Sequence, residues 1–541
     1  MKIDCLVIVM LTAATVNVLG QSVTLDYGTF VGTTSSNVIS FLGIPYAAAP
    51  IGDLRFKPPQ PPSTLSGTTD ATSFSNACIP DTGIGSGFSE DCLYLNVYAP
   101  SDASPSKTYP VVVWVYGGSF NSGSSSLPEY NGTNFINAMP SKAVVVTFNY
   151  RLAYFGFLAS SDLKEEGSLN AGLLDQAAAF KWTRTYIDAF GGNSTRITAW
   201  GQSAGAHSIS YHMTAVQSSP PLFDQAILES GATNIGTGTV EKFQNYYDTL
   251  AQNLGCGSTE ILNCLRNASV KRLVNAATNL PSLYLPVVDG TYLVKSPFLL
   301  AVSGSGQNIP IIWMFNTNEG TLFTSSAGLT DRSSKTDFIS FQTTQFFFIN
   351  NTELTTVAAL YPTSDYNSSG VYSAQFEATA DSVGDALYKC PTHLSTVAAI
   401  KENPQTLIYR ARFNIIPQIN ASPSDKSLGV YHGAEIPYTW NYASLLTSSD
   451  MKASQALISA YSSFIATGIP DTGVTGVAWP AFNEEQQDLV IDLEMTGVLE
   501  TPSSDFIDKC EFWNASAHLY DLNSTLIYAA KDLTESRANK K

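Results

Sequence analysis

A short apolar run at residues 197–200 passes directly into Gly201-Gln202-Ser203-Ala204-Gly205, and a helix-compatible stretch follows at 206–213. This strand–turn–helix passage constrains the fold more than any other part of the chain. The two glycines permit a turn too tight for ordinary side chains, and the turn lifts the serine between them to the top of a sheet. Taken alone, a G-x-S-x-G pentapeptide marks an ordinary turn. Set between a buried strand and a helix, it reads as a nucleophile elbow, with the positive helix end aimed where an oxyanion would develop.

The surrounding pattern agrees. Runs at 111–116, 143–149, 197–200, 226–229 and 311–315 are rich in Val, Ile and aromatics, as buried parallel strands are. Helical periodicity follows several of them, most clearly at 171–187, where Leu173, Leu174, Ala177, Ala178 and Trp182 share one side. The expected class is α/β, with a large and mostly parallel sheet flanked by helices. No internal repeat, charge block or Pro/Ser-rich linker interrupts residues 21–541, which read as a single domain. Reactive groups in such sheets gather beyond the carboxyl ends of the strands.

Ser203 needs a base, and the chain has 5 histidines. His207 and His212 are tied to the helix leaving the elbow and read as structural, while His393 and His518 lack a catalytic setting. His432 lies in the loop-like Gly429-Val430-Tyr431-His432-Gly433-Ala434-Glu435, after the strand-like 407–413. The chain order Ser, acid, His asks for a carboxylate between 203 and 432. Glu319, directly after the run 311–315, is the first choice, and Asp289 is a rival that looks more like a turn former. Gly118 and Ser119 follow the strand at 111–115, and with Ala204 they offer backbone N–H groups for an oxyanion hole. No cofactor motif or metal-ligand cluster is seen.

Composition places the chain outside the cell. A net charge of −17 disfavours nucleic-acid binding and docking on anionic membranes. Residues 1–20 read as a signal peptide: Lys2, a mostly apolar run over 5–18, and small residues Val18 and Gly20 before Gln21. That run falls short of the roughly 18–20 apolar residues a membrane span needs, so no membrane anchor is expected. Six cysteines remain beyond it. The close spacing of Cys78 with Cys92 and of Cys256 with Cys264 predicts two local disulfides, leaving Cys390 and Cys510 to pair by elimination. Sequons at Asn131, Asn193, Asn267, Asn350, Asn367, Asn420, Asn514 and Asn523 fit export.

From about Gln21 onward the chain resembles the type-B carboxylesterase/lipase family, which includes cholinesterases and fungal lipases. Beside the elbow, the resemblance rests on Phe41-Leu42-Gly43-Ile44-Pro45-Tyr46, Arg55-Phe56, Glu90-Asp91-Cys92-Leu93-Tyr94-Leu95-Asn96, Asn149-Tyr150-Arg151, Asn170-Ala171-Gly172-Leu173-Leu174-Asp175-Gln176 and Phe190-Gly191-Gly192. It implies an α/β-hydrolase fold, Ser203 as nucleophile, His432 as base, Glu319 as the acid that orients it, and Gly118, Ser119 and Ala204 as oxyanion donors. It also implies pairing of Arg55 with Glu90 and of Arg151 with Asp175, and a supporting role for Ser230 beside the acid. Two departures stand out. Gln202 replaces the Glu that family members commonly carry, and Ser119 ends a loop that is otherwise glycine.

The implied reaction is ester hydrolysis through an acyl-enzyme, with a small ester as partner and no cofactor. Family lipases carry a long amphipathic lid between the cysteines that match Cys78 and Cys92. Here residues 79–91 are short and Gly-rich, which favours soluble or aromatic esters, hydroxycinnamoyl (feruloyl) esters included. The alternative is a lipase or sterol esterase with a deep acyl tunnel. A non-catalytic binding module of the same family ranks lower, because the triad residues are all present. A cholinesterase ranks lower because no ring of gorge aromatics for cation recognition can be placed in the sequence. No motif fixes an oligomeric state.

Overall fold

The computed structural model describes residues 21–216, 219–233, 238–278, 280, 284–330, 332–346, 349–366, 372–417, 427–482 and 486–517. The signal segment 1–20, His518 and the sequons at Asn367, Asn420 and Asn523 lie outside the described residues.

Eleven strands form one sheet. In chain order they are β1 (Thr33–Ser35), β2 (Val38–Pro45), β3 (Tyr94–Pro100), β4 (Tyr109–Val115), β5 (Val144–Phe148), β6 (Gly192–Gln202), β7 (Gln225–Glu229), β8 (Ile311–Asn316), β9 (Ile408–Phe413), β10 (Asp488–Ile491) and β11 (Leu499–Glu500). Their spatial order is β1-β2-β3-β5-β4-β6-β7-β8-β9-β10-β11. The stretch from β5 to β10 is parallel throughout, and antiparallel strands close both edges. This is the α/β-hydrolase architecture.

The expected strands are present within a residue or two of their bounds, with one exception. β6 begins five residues early, at Gly192, and its polar first half is joined to the buried second half through a register shift. Hydrophobicity marks only the half that is covered on both faces. The periodic stretch at 171–187 is the helix Ala171–Tyr186. Under the elbow, Trp114 of β4 and Trp200 of β6 pack at 4.7 Å, and Trp440 stacks on Trp200 at 4.6 Å. All three are fully buried, so the floor of the site is rigid aromatic packing.

Both expected ion pairs form in the interior. Arg55 grips Glu90 through Nε (2.6 Å) and Nη2 (2.8 Å), and its Nη1 donates to the carbonyls of Leu265, Arg266 and Ala268. Arg151 is bidentate on Asp175, at 2.7 Å on each oxygen. Such buried pairs need many partners to offset desolvation; Arg55 spends its remaining donors on backbone carbonyls, whereas Arg151 Nη1 has no hydrogen-bond partner among the described residues. The disulfides Cys78–Cys92, Cys256–Cys264 and Cys390–Cys510 all form. Asn131, Asn267 and Asn350 are exposed, whereas Asn193 and Asn514 are half-buried. No described helix is long and apolar enough to cross a membrane.

Candidate active site

The elbow has the geometry its glycines anticipate. Ser203 sits between β6 and the helix Ala204–Thr214 with φ 56° and ψ −126°, a backbone conformation that L-residues rarely adopt. A Cβ on Gly205 would lie 1.9 Å from the Val115 carbonyl oxygen, and one on Gly201 would lie 2.7 Å from the Gly205 carbonyl carbon. Only glycine allows the turn and the helix to pass this close to β4. The Ser203 N–H donates to the Glu229 carbonyl at 2.9 Å, which pins the elbow to β7.

Glu319 and His432 come from two loops stitched together. Asn318 N–H donates to Val430 O (2.9 Å), Val430 N–H to Asn318 Oδ1 (3.0 Å), Asn316 Nδ2 to Tyr431 O (2.8 Å) and Thr321 Oγ1 to Leu428 O (2.7 Å). As a result His432 Nδ1 lies 2.6 Å from Glu319 Oε2, while Glu319 Oε1 accepts the Asn316 N–H at 2.7 Å. With Nδ1–H donating a hydrogen bond to that carboxylate, the neutral imidazole has Nε2 as its acceptor. Gln202 Nε2 approaches that nitrogen at 3.4 Å.

The glycine loop after β4 curls through three left-handed residues: Gly118 (φ 107°), Ser119 (φ 56°) and Phe120 (φ 62°). Asn121 and Ser122 N–H both turn inward to the Gly118 carbonyl, at 2.9 and 3.0 Å. Among the described residues, the N–H groups of Gly118 and Ser119 make no hydrogen bond. A Cβ on Gly117 would lie 2.8 Å from Ser203 Cβ, so these free donors belong to a loop in contact with the serine.

The other candidates resolve as follows. His207 Nδ1 bonds the Ala232 carbonyl, and burial pushes its pKa down to about 4. His212 is satisfied by Tyr292 (2.6 Å) and Gln176 (3.0 Å), and burial lowers it to about 3. His393 is buried against Arg410 Nη1 at 3.1 Å. Asp289 is the turn former it resembled, with Oδ1 accepting the N–H groups of Thr291, Tyr292 and Leu293. Ser230 differs from expectation. Its buried hydroxyl has no hydrogen-bond partner among the described residues, and the acid is supported by the Asn316 N–H instead.

Three groups beside the site escaped the sequence analysis. Glu229 and Glu435 are fully buried carboxyls. Glu229 accepts from the Tyr461 hydroxyl at 2.7 Å, and Glu435 accepts from Asn316 Nδ2. Burial, reinforced by the Glu319 charge, pushes Glu435 up to about 7, and burial together with Glu435 raises Glu229 well above the usual carboxylate range. Both residues sit within motifs singled out for their neighbours, so position alone signalled them. Tyr388 packs on the His432 ring at 4.5 Å, and no sequence pattern pointed to it.

Comparison with known proteins fits this arrangement. The sequence family described as the carboxylesterase family matches residues 19–513. The para-nitrobenzyl esterase of Bacillus subtilis is 33% identical over 501 residues, covering 88% of this chain and 96% of its own. The secreted triacylglycerol lipase LIP1 of Gibberella zeae is 31% identical over 519 residues, covering 86% and 85%. The crystal structure of Aspergillus niger EstA superposes with a TM-score of 0.83 at 29% identity, over 92% of this chain and 98% of that one.

Proposed function

The chain belongs to the carboxylesterase family and is a serine carboxylic-ester hydrolase; from that premise we propose that Ser203, His432 and Glu319 are its catalytic triad. The observation that carries the reading is the 2.6 Å contact of His432 Nδ1 with Glu319 Oε2, beside a strained serine at an elbow. Ser203 Oγ attacks the ester carbonyl as His432 Nε2 takes its proton, and Glu319 stabilises the imidazolium that forms. The carbonyl oxygen, now an oxyanion, accepts from the N–H groups of Gly118, Ser119 and Ala204. The imidazolium returns its proton to the departing alcohol. Water then enters, loses a proton to His432 and releases the acid from Ser203. Ser203→Ala is expected to remove nearly all kcat at unchanged fold, and an active variant refutes the triad.

For the substrate we favour soluble or aromatic esters, hydroxycinnamoyl esters among them. The support is the span 79–91 between Cys78 and Cys92, which contains no helix that could serve as an amphipathic lid. The test is kcat/KM on methyl ferulate beside an emulsified long-chain p-nitrophenyl ester. A preference for the emulsion would turn the reading to the lipase activity named for the Gibberella relative. We also place the protein outside the cell, with 1–20 removed before Gln21; three disulfides support this, and N-terminal sequencing of exported protein tests it.

A further inference from the structure

Between the helices Ala374–Gly384 and Cys390–Glu402 the chain widens for one turn, Asp385–Lys389, into a π-helix, closed by the Cys390 N–H on the Asp385 carbonyl. Single π-turns are uncommon and concentrate at functional sites. This one is held from several directions. Lys389 Nζ lies 2.6 Å from Asp385 Oδ1 and 2.9 Å from Asp381 Oδ1. The Tyr361 hydroxyl donates to Asp385 Oδ2 at 2.9 Å, and Cys390 is bonded to Cys510.

What this turn delivers is Tyr388. Its ring centroid is 4.5 Å from that of His432, 5.7 Å from that of His207 and 5.6 Å from that of Phe323, on which it stacks. Phe323 in turn touches the His432 ring at 4.9 Å. Tyr388 is 5% exposed. Two aromatic rings, Tyr388 and Phe323, therefore cover the imidazole.

We propose that Tyr388 is a positioning residue whose ring fixes the His432 imidazole in its setting toward Ser203; this rests on the triad reading above. Glu319 holds the imidazole by one edge, which leaves the ring free to rock about that contact. The faces of Tyr388 and Phe323 remove that freedom. The acylation step therefore begins from a narrowed set of geometries, and small misplacements of such pairs are expensive in rate.

The test compares Tyr388→Phe, Tyr388→Leu and Ser203→Ala on p-nitrophenyl acetate, with phenylmethylsulfonyl fluoride as a second probe of the serine. Losing the ring in Tyr388→Leu is expected to lower kcat roughly tenfold, with KM within about twofold. Sulfonylation of Ser203 should slow by a similar factor. Tyr388→Phe keeps the ring and should restore most of both rates. A folded Tyr388→Leu enzyme with wild-type kcat and sulfonylation rate overturns the proposal, as does a rise in KM alone, which would make the residue merely a wall. If Tyr388→Leu does not fold, Tyr388→Met, which keeps the volume without a flat face, decides in its place. Activity in Ser203→Ala would instead sink the triad reading and this inference with it, so the two failures are distinguishable.

Discussion

Gln202 and Glu229 face one another as register partners across the parallel strands β6 and β7. Where its family commonly places an acid at the elbow, this chain has an amide there, and it carries a fully buried carboxyl one strand away. The exchange matters because Gln202 Nε2 is the polar group that approaches His432 Nε2, at 3.4 Å.

Gln202→Glu puts a carboxylate at that nitrogen. An anion so close stabilises positive charge that develops on the ring in the transition state, so kcat/KM on a soluble ester is expected to rise roughly threefold. An unmoved kcat/KM would mean that the side chain at 202 does not sense the imidazole.

Ser119 has φ 56°, in the left-handed region where a non-glycine residue costs on the order of 1 kcal/mol. Ser119→Gly removes that strain but loosens the unfolded chain, so a net gain of up to about 1 kcal/mol is expected. The N–H stays where it was, and kcat should hold within about threefold if that donor is all the residue supplies. Chemical denaturation and steady-state kinetics on one preparation measure both. A collapse of kcat would assign a role to the hydroxyl.

The features readable from sequence are those whose chemistry repeats locally. The elbow, the buried strands, the paired charges of Arg55 with Glu90 and Arg151 with Asp175, and the loops carrying Glu319 and His432 each announce themselves within a few residues. Tyr388 does not. It reaches the site because the helical path widens by one residue at Asp385–Lys389, and such a widening leaves no mark on an apolar pattern. Glu229 and Glu435 were hidden for another reason. A fully buried carboxyl without a cation runs against the usual rule that such groups are exposed or paired. Ser230 shows the reverse error, since its place in a familiar motif implied a contact that the side chain does not make.

The Cys390–Cys510 disulfide closes a separation of 120 residues, against 8 for Cys256–Cys264. In the chain-entropy account, the long closure stabilises by roughly 5 kcal/mol and the short one by roughly 2–3 kcal/mol. The long one also lies in the apolar cluster around Phe298, Val357, Val383 and Ala386. The Cys390→Ser/Cys510→Ser protein should therefore show the lower denaturation midpoint when compared with Cys256→Ser/Cys264→Ser. The opposite ranking would reject loop closure as the dominant effect.

Glu435 gives the protein a stability term that weakens as pH rises. Its carboxyl titrates near 7 in the folded chain, because of burial first and the Glu319 charge second, against an ordinary value of 4.5. Between those two values the folded state holds a proton that the unfolded state has released. Each pH unit crossed in that window removes up to about 1.4 kcal/mol. His207 and His212 act in the opposite direction, since burial depresses them to about 4 and about 3 and the unfolded chain binds their protons first. The net profile of the wild type mixes both signs, so the informative quantity is the difference between wild type and Glu435→Gln, in which the histidine contributions cancel. The amide can still accept from Asn316 Nδ2 but cannot ionise. Relative to wild type, Glu435→Gln should gain stability steadily from pH 4.5 to 7, read as melting temperature across that range. Parallel curves would show that Glu435 does not hold its proton in the folded protein.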